Sequence, residues 1–395
     1  MVYKPDTCDF TTSQWTRLFV TLTLALFLFL LPSPALSQED ELDEIEKQVD
    51  VWSSIEKLFE SQKERGFVVV PVAFSNPTIG AGVGAAARYL YKLDDESTSS
   101  HTTLGAAWAG GRSWLVGLGQ RTFIKADRFR IDGGLGVFDV TRPFYGVGFD
   151  SGDAGQSIDV DQAGYLFNAE GLFQAGEYIY LGLRYRLLRM ETSYEDPGVF
   201  SSGTFSLSSD EYNAVSSGIG PVLRLDSRDN EYNPYGGALL EVVSYVADDM
   251  LGSDLDYVTL NADYNHFLGI GQNHVLAIGL SACSTSGSVP YYDLCIFGQK
   301  SNLRGYVAGR YRDRHMVTAQ LEYRGRIYDR WGLVAFAGAG KVAPDLDEFD
   351  ETGLLPSTGA GLRFMVSRKE RINVGFDYAV GRDEETFYLR FGEAF

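Results

Sequence analysis

From Gly66 to Phe395 apolar and polar residues alternate with a period of two. In 177–189 the set Ile179, Leu181, Leu183, Tyr185 and Leu187 interleaves with Tyr178, Tyr180, Gly182, Arg184 and Arg186. In 317–327 Val317, Ala319, Leu321 and Tyr323 interleave with Thr318, Gln320, Glu322, Arg324 and Arg326, and in 372–378 Ile372, Val374, Phe376 and Tyr378 oppose Asn373, Gly375 and Asp377. Successive side chains of a strand point to opposite faces, so each segment is a strand with one apolar and one polar, often charged, face. The pattern predicts sixteen strands, at 66–75, 78–92, 100–110, 113–125, 128–140, 160–174, 177–192, 212–226, 236–248, 254–268, 272–284, 314–327, 331–341, 356–367, 371–380 and 385–395. Most reach the 9–11 residues or so that a tilted membrane strand needs, against about 5–6 in ordinary sheets.

Taken alternately, the connections fall into two populations. One set (93–99, 126–127, 175–176, 227–235, 269–271, 328–330, 368–370) stays short, whereas the opposite end carries 141–159, 193–211, 285–313 and 342–355. Short turns on one rim and long loops on the other, with an even strand count, predict an all-β fold: a closed transmembrane antiparallel barrel whose long loops are extracellular. The polar face then lines a lumen, and the apolar face meets lipid and lipopolysaccharide.

Upstream the period changes. In 39–64 Leu42, Ile45, Val49, Trp52, Ile55 and Phe59 recur every three or four residues, which predicts a short amphipathic periplasmic helix within a linker over 38–65. Its ten acidic against three basic residues argue against an anionic lipid surface and leave two readings, a solvated linker or a helix docked on a partner. Leu18 to Leu31 is one apolar run after Arg17, followed by Pro32-Ser33-Pro34-Ala35-Leu36-Ser37. That is the layout of a secretory signal peptide over 1–37, and the run is too short to span a bilayer comfortably.

Composition narrows the function. A net charge of -19 argues against nucleic acid as a partner. The 44 glycines, 23 tyrosines and 25 phenylalanines suit strand walls and interfacial aromatic belts. Cys283 and Cys295 remain once Cys8 leaves with the signal peptide; in an oxidising compartment they pair as a disulfide, the alternative being two unpaired small apolar residues. No catalytic motif emerges, because His101, His266, His274 and His315 are scattered over separate strands or rims. No cofactor is expected. Asp345, Asp347, Glu348, Asp350 and Glu351 lack the glycine turn and terminal carboxylate of a calcium loop, so no metal site is assigned to them.

Leu303-Arg304-Gly305-Tyr306 lies inside the longest loop. It is similar to the Arg-Gly-aromatic motif on the sixth extracellular loop of the bacterial surface antigen family, the barrel portion of outer-membrane insertases and two-partner-secretion transporters. Leu225-Asp226-Ser227-Arg228-Asp229-Asn230 through Asn233-Pro234-Tyr235-Gly236-Gly237 is similar to its Asp-x-Arg turn; Ser75-Asn76-Pro77-Thr78-Ile79-Gly80 and Phe391-Gly392-Glu393-Ala394-Phe395 also fit. The resemblance implies that the long loop folds back into the barrel, with Arg304 held by lumen carboxylates. Glu322, on the polar face of its strand, is the predicted partner. The family often supplies a second carboxylate from the next strand, where this chain has Gly338 in Phe336-Ala337-Gly338-Ala339-Gly340.

The resemblance further implies a barrel over 66–395 in the outer membrane of a Gram-negative bacterium. Its clients would be unfolded outer-membrane proteins or lipids, passed through a lateral seam between the first and last strands. Pro71, which cannot donate to a ladder, and the terminal Phe395 are assigned to that seam. The family's insertases carry globular periplasmic polypeptide-transport domains, for which 38–65 is too short. The competing reading is therefore a passive pore or structural barrel.

Overall fold

A computed structural model describes residues 66–76, 78–110, 112–193, 213–298 and 302–395. The expected signal segment 1–37 and helix 39–64 lie outside the described residues. Sixteen strands close one antiparallel barrel: β1 (Gly66–Asn76), β2 (Gly80–Tyr91), β3 (Ser100–Ala109), β4 (Trp114–Ile124), β5 (Phe129–Phe144), β6 (Ile158–Gly176), β7 (Ile179–Ser193), β8 (Asn213–Asp226), β9 (Gly237–Ala247), β10 (Tyr257–Ile270), β11 (His274–Gly287), β14 (His315–Tyr328), β15 (Trp331–Ala343), β16 (Leu355–Ser367), β17 (Ile372–Gly381) and β18 (Glu384–Phe391). Two short strands, β12 (Cys295–Ile296) and β13 (Arg312–Asp313), pair with each other inside the long β11–β14 loop. A six-residue helix α1 (Phe149–Ala154) sits in the β5–β6 loop.

The period-two pattern is written into the burial of each wall, inverted relative to a soluble sheet. On β14 Val317, Leu321 and Tyr323 are 42–46% exposed, whereas Gln320, Glu322 and Arg324 are at most 6% exposed. Leu104, Trp108, Leu135, Leu183, Leu362 and Phe376 continue the outward apolar surface on other strands. Only a hydrocarbon solvent makes that arrangement favourable, because each outward Leu or Phe left in water would forgo roughly 1.5–3 kcal/mol of burial.

Most element ends fall within three residues of the sequence expectation, and two differ by four. β5 runs on to Phe144 because Thr141–Phe144 pair with Ile158–Asp161 of β6. The last strand stops at Phe391, and Gly392 adopts φ +89°, a left-handed conformation that turns the chain off the sheet. Phe395, assigned from the sequence to the seam, therefore lies off the last strand and packs with Phe267, Val275 and Ala277 of β10 and β11. The junction that closes the barrel is sparse. Among the described residues β1 and β18 share one partnered pair, Ser75 with Leu389, whereas β1 pairs β2 along its whole length, with Pro71 opposite Ala85.

Candidate functional site

The β11–β14 loop runs through the lumen and is fastened to both sides of it. Its first half meets the β6–β10 wall. Tyr291 receives a hydrogen bond from Gln162 Nε2 and lies 2.7 Å from Thr192 Oγ1, while the Asp293 carboxylate takes Arg186, Tyr257 and Ser216. Tyr292 donates to Ala214 O at 3.2 Å. The disulfide Cys283–Cys295, with Cα atoms 5.6 Å apart, ties β11 to β12 within the loop. Closing a loop of this length is worth about 3 kcal/mol on a chain-entropy estimate.

The second half of the loop carries Leu303, Arg304, Gly305 and Tyr306. Leu303, Arg304 and Tyr306 are fully buried. Arg304 pairs through Nη2 with Glu322 on β14 and through Nη1 with Asp377 on β17 at 3.0 Å. Its guanidinium lies 3.4 Å from the ring centroid of Phe336 on β15, a cation over an aromatic face. Gly305 has φ +102°, and a Cβ there would come within 3.0 Å of the Gly381 nitrogen, so glycine is what lets the tip lie against β17. Gly305 N donates to Tyr388 Oη at 3.0 Å, Tyr306 Oη to Pro356 O, and Arg382 N to Tyr306 Oη at 3.0 Å. Burial pushes the Tyr306 phenol up to about 12, which keeps it a neutral donor.

Around Arg304 the carboxylates are shared. Arg324 Nε reaches Glu322 at 2.6 Å; Asp377 also takes Arg363 and, at 3.1 Å, Arg390; Arg363 Nε meets Glu393 at 2.8 Å. A buried cluster of this kind fixes a geometry more than it adds net stability, since the desolvation of each charge offsets most of the attraction. The second carboxylate for Arg304 is thus Asp377, three strands beyond Glu322. Gly338, where the resemblance would place it, is occupied by packing: a Cβ there would sit 2.6 Å from Leu303 Cδ1 and 2.5 Å from Ala319 O. A smaller four-membered network on the other wall joins Arg184, Glu170, Arg224 and Glu241.

Beyond Tyr306 the loop reaches the closing junction. Val307 N donates to Glu384 Oε2 at 2.8 Å and Arg310 Nη1 to Glu384 Oε1 at 2.7 Å, both on β18, while Ala308 N donates to Thr78 Oγ1 at 2.9 Å, between β1 and β2. One loop therefore holds both sides of the sparsest pairing in the sheet. Elsewhere the expected Asp-x-Arg turn is a structural one: Arg228 pairs with Asp226 at 2.9 Å, and Asp229 pairs with Arg371 at 2.6 Å and accepts from Tyr235 N. The acidic residues 345–351 surround a 3-10 turn at Glu348–Asp350, above which Lys341 Nζ donates to Phe349 O at 2.6 Å.

Comparison with known families decides what this arrangement is. The model of the Omp85 superfamily domain matches residues 121–395. The chain belongs to the Omp85 superfamily. As an Omp85 barrel it is a protein of the Gram-negative outer membrane, and β1 to β3 with most of β4, ahead of the match, complete the same closed sheet. Among solved structures it is similar to BamA from Haemophilus ducreyi lacking POTRA domains 1–3, at 16% identity and a TM-score of 0.55 over 83% of this chain and 70% of that one. CdiB from Escherichia coli is similar at 11% identity and a TM-score of 0.57, over 82% of this chain and 62% of that one. CdiB from Acinetobacter baumannii follows at 10% and 0.52, covering 84% and 60%. At these identities the likeness is one of fold. No curated protein sequence matches the chain.

Proposed function

We propose that this Omp85 barrel is an insertase or translocase that moves polypeptide or lipid between periplasm, membrane and exterior by lateral opening between β1 and β18. The observation that carries the reading is the one Ser75–Leu389 pair among the described residues at that junction, bridged by a loop that grips Glu384 on one side and Thr78 on the other. Opening there costs few sheet hydrogen bonds, so loop contacts rather than the ladder set the barrier. Arg304, Glu322 and Asp377 are positioning residues in this account: they seat the loop so that residues 307–310 can reach the junction. A loop crossing the lumen disfavours the passive-pore alternative.

Depletion tests the function. Cells losing the protein are expected to lose a subset of other outer-membrane barrels, or to show phospholipid at the cell surface, as read by outer-membrane proteomics and lipid labelling. An unchanged outer-membrane protein and lipid composition would overturn the proposal.

A further inference from the structure

The segment Gly392–Phe395 leaves the sheet at the short-turn end and inserts into the lumen, where it is held as a bound peptide would be. Glu393 pairs with Arg363 at 2.8 Å and accepts from Asn373 Nδ2. The Phe395 ring enters the apolar notch of Phe267, Val275 and Ala277, 3.4 Å from where a Cβ on Gly279 would stand, with the Arg324 guanidinium 5.6 Å from its centroid. Arg324 Nη2 donates to Phe395 O at 2.7 Å. The notch thus reads three features of the segment: the Glu393 carboxylate, the Phe395 oxygen and its aromatic ring.

A second observation points to unfilled binding capacity. Arg324 is 6% exposed, yet among the described residues its Nη1 has no hydrogen-bond partner, and the same holds for Oδ1 of Asn373, 5% exposed. A buried donor left unmade costs about 1–3 kcal/mol or more for a charged group, so a better-matched occupant would gain what this one leaves. Beside the tail lies a small cavity lined by Val275, Arg324, Arg330, Arg363, Asn373 and Glu393.

We infer that this notch is a peptide-binding site, filled in the resting barrel by the chain's own Glu393-Ala394-Phe395, that takes a client segment with an acidic residue two positions before an aromatic one. The inference names a polypeptide client within the transport reading and rests on it. Exchange is feasible because the contacts made by Glu393 and Phe395 are the ones a client would replace.

The test uses the full chain in detergent and a fluorescein-labelled Gly-Glu-Ala-Phe peptide. Glu393→Ala with Phe395→Ala empties the notch; saturable binding is expected about tenfold tighter than to the unsubstituted protein, the equivalent of about 1.4 kcal/mol. A Gly-Gln-Ala-Ala peptide is expected to bind neither. A benzophenone at the peptide's aromatic position should also cross-link to β10 or β11 of the unsubstituted barrel, which requires no variant to fold. Absence of saturable binding to a folded tail variant, or a cross-link elsewhere, overturns the inference. The assay reads the notch alone, so its failure leaves the depletion result, and with it the transport reading, to stand or fall separately.

Discussion

Replacing Glu322 with alanine is expected to destabilise the barrel by about 3–5 kcal/mol, the cost typical of breaking a buried pair and leaving its partner charged. The sign follows from which groups keep a partner. Arg304, Arg324, Arg363 and Arg390 share the side-chain carboxylates of Glu322, Asp377 and Glu393, and Arg324 also reaches Phe395 O. Loss of Glu322 strips Arg304 and Arg324 of their shared acceptor and leaves two buried cations short of a partner. Arg304→Ala leaves Glu322 with Arg324 and Asp377 with Arg363 and Arg390, so its stability loss is smaller. Its larger effect is on the loop, whose tip loses both ion pairs and the Phe336 face. Urea unfolding in lipid vesicles orders the two variants by midpoint, and limited proteolysis of the intact barrel should cut the loop faster in Arg304→Ala. Equal midpoints, or a more damaging Arg304→Ala, would show that loss of the shared acceptor does not govern the cluster.

Removal of the loop is expected to open the barrel. Residues 288–313 fasten to β6, β7, β8 and β10 through Tyr291–Asp293 and to β14 through β18 through Arg304–Arg310, which leaves the lumen spanned from wall to wall. The intact protein in a planar bilayer should therefore give low, flickering current. A variant joining Gly287 to Arg314 by a short Gly-Ser linker, with Cys283→Ser to remove the orphaned thiol, should give steady steps at least several-fold larger. The ion pairs on the β6–β9 wall are independent of the loop and keep that wall folded. Large steady steps from the unaltered protein would contradict a plugged lumen and favour the passive pore.

How much of this was legible in the sequence differs by residue. The alternation over 317–327 was enough to place Glu322 on the lumen side, because strand geometry fixes facing locally. Asp377 is equally plain on the polar face of 372–378, but its pairing with Arg304 was not. Which strands meet a loop tip depends on barrel curvature and on the loop's path, and neither leaves a period in the sequence. The anchors Tyr291, Tyr292 and Asp293 were missed for the same reason, since they lie in irregular backbone. The tail misled because apolar and polar residues still suit a strand up to Phe395; Gly392 and the pull of Arg363 on Glu393 end it four residues earlier. Gly338 looked like a missing carboxylate and is instead the space into which Leu303 packs.

The account turns on whether β1 and β18 must part. Cysteines at Ser75 and Leu389, the one partnered pair across the junction among the described residues, can lock it. Cells depleted of the native protein and supplied with the doubly substituted chain are compared under oxidising and reducing conditions, with each single substitution as a control, and outer-membrane protein and lipid composition is read. Loss of function when the cross-link forms, and recovery when it is reduced, is the predicted result; full function from a barrel shown to be quantitatively cross-linked would contradict lateral opening.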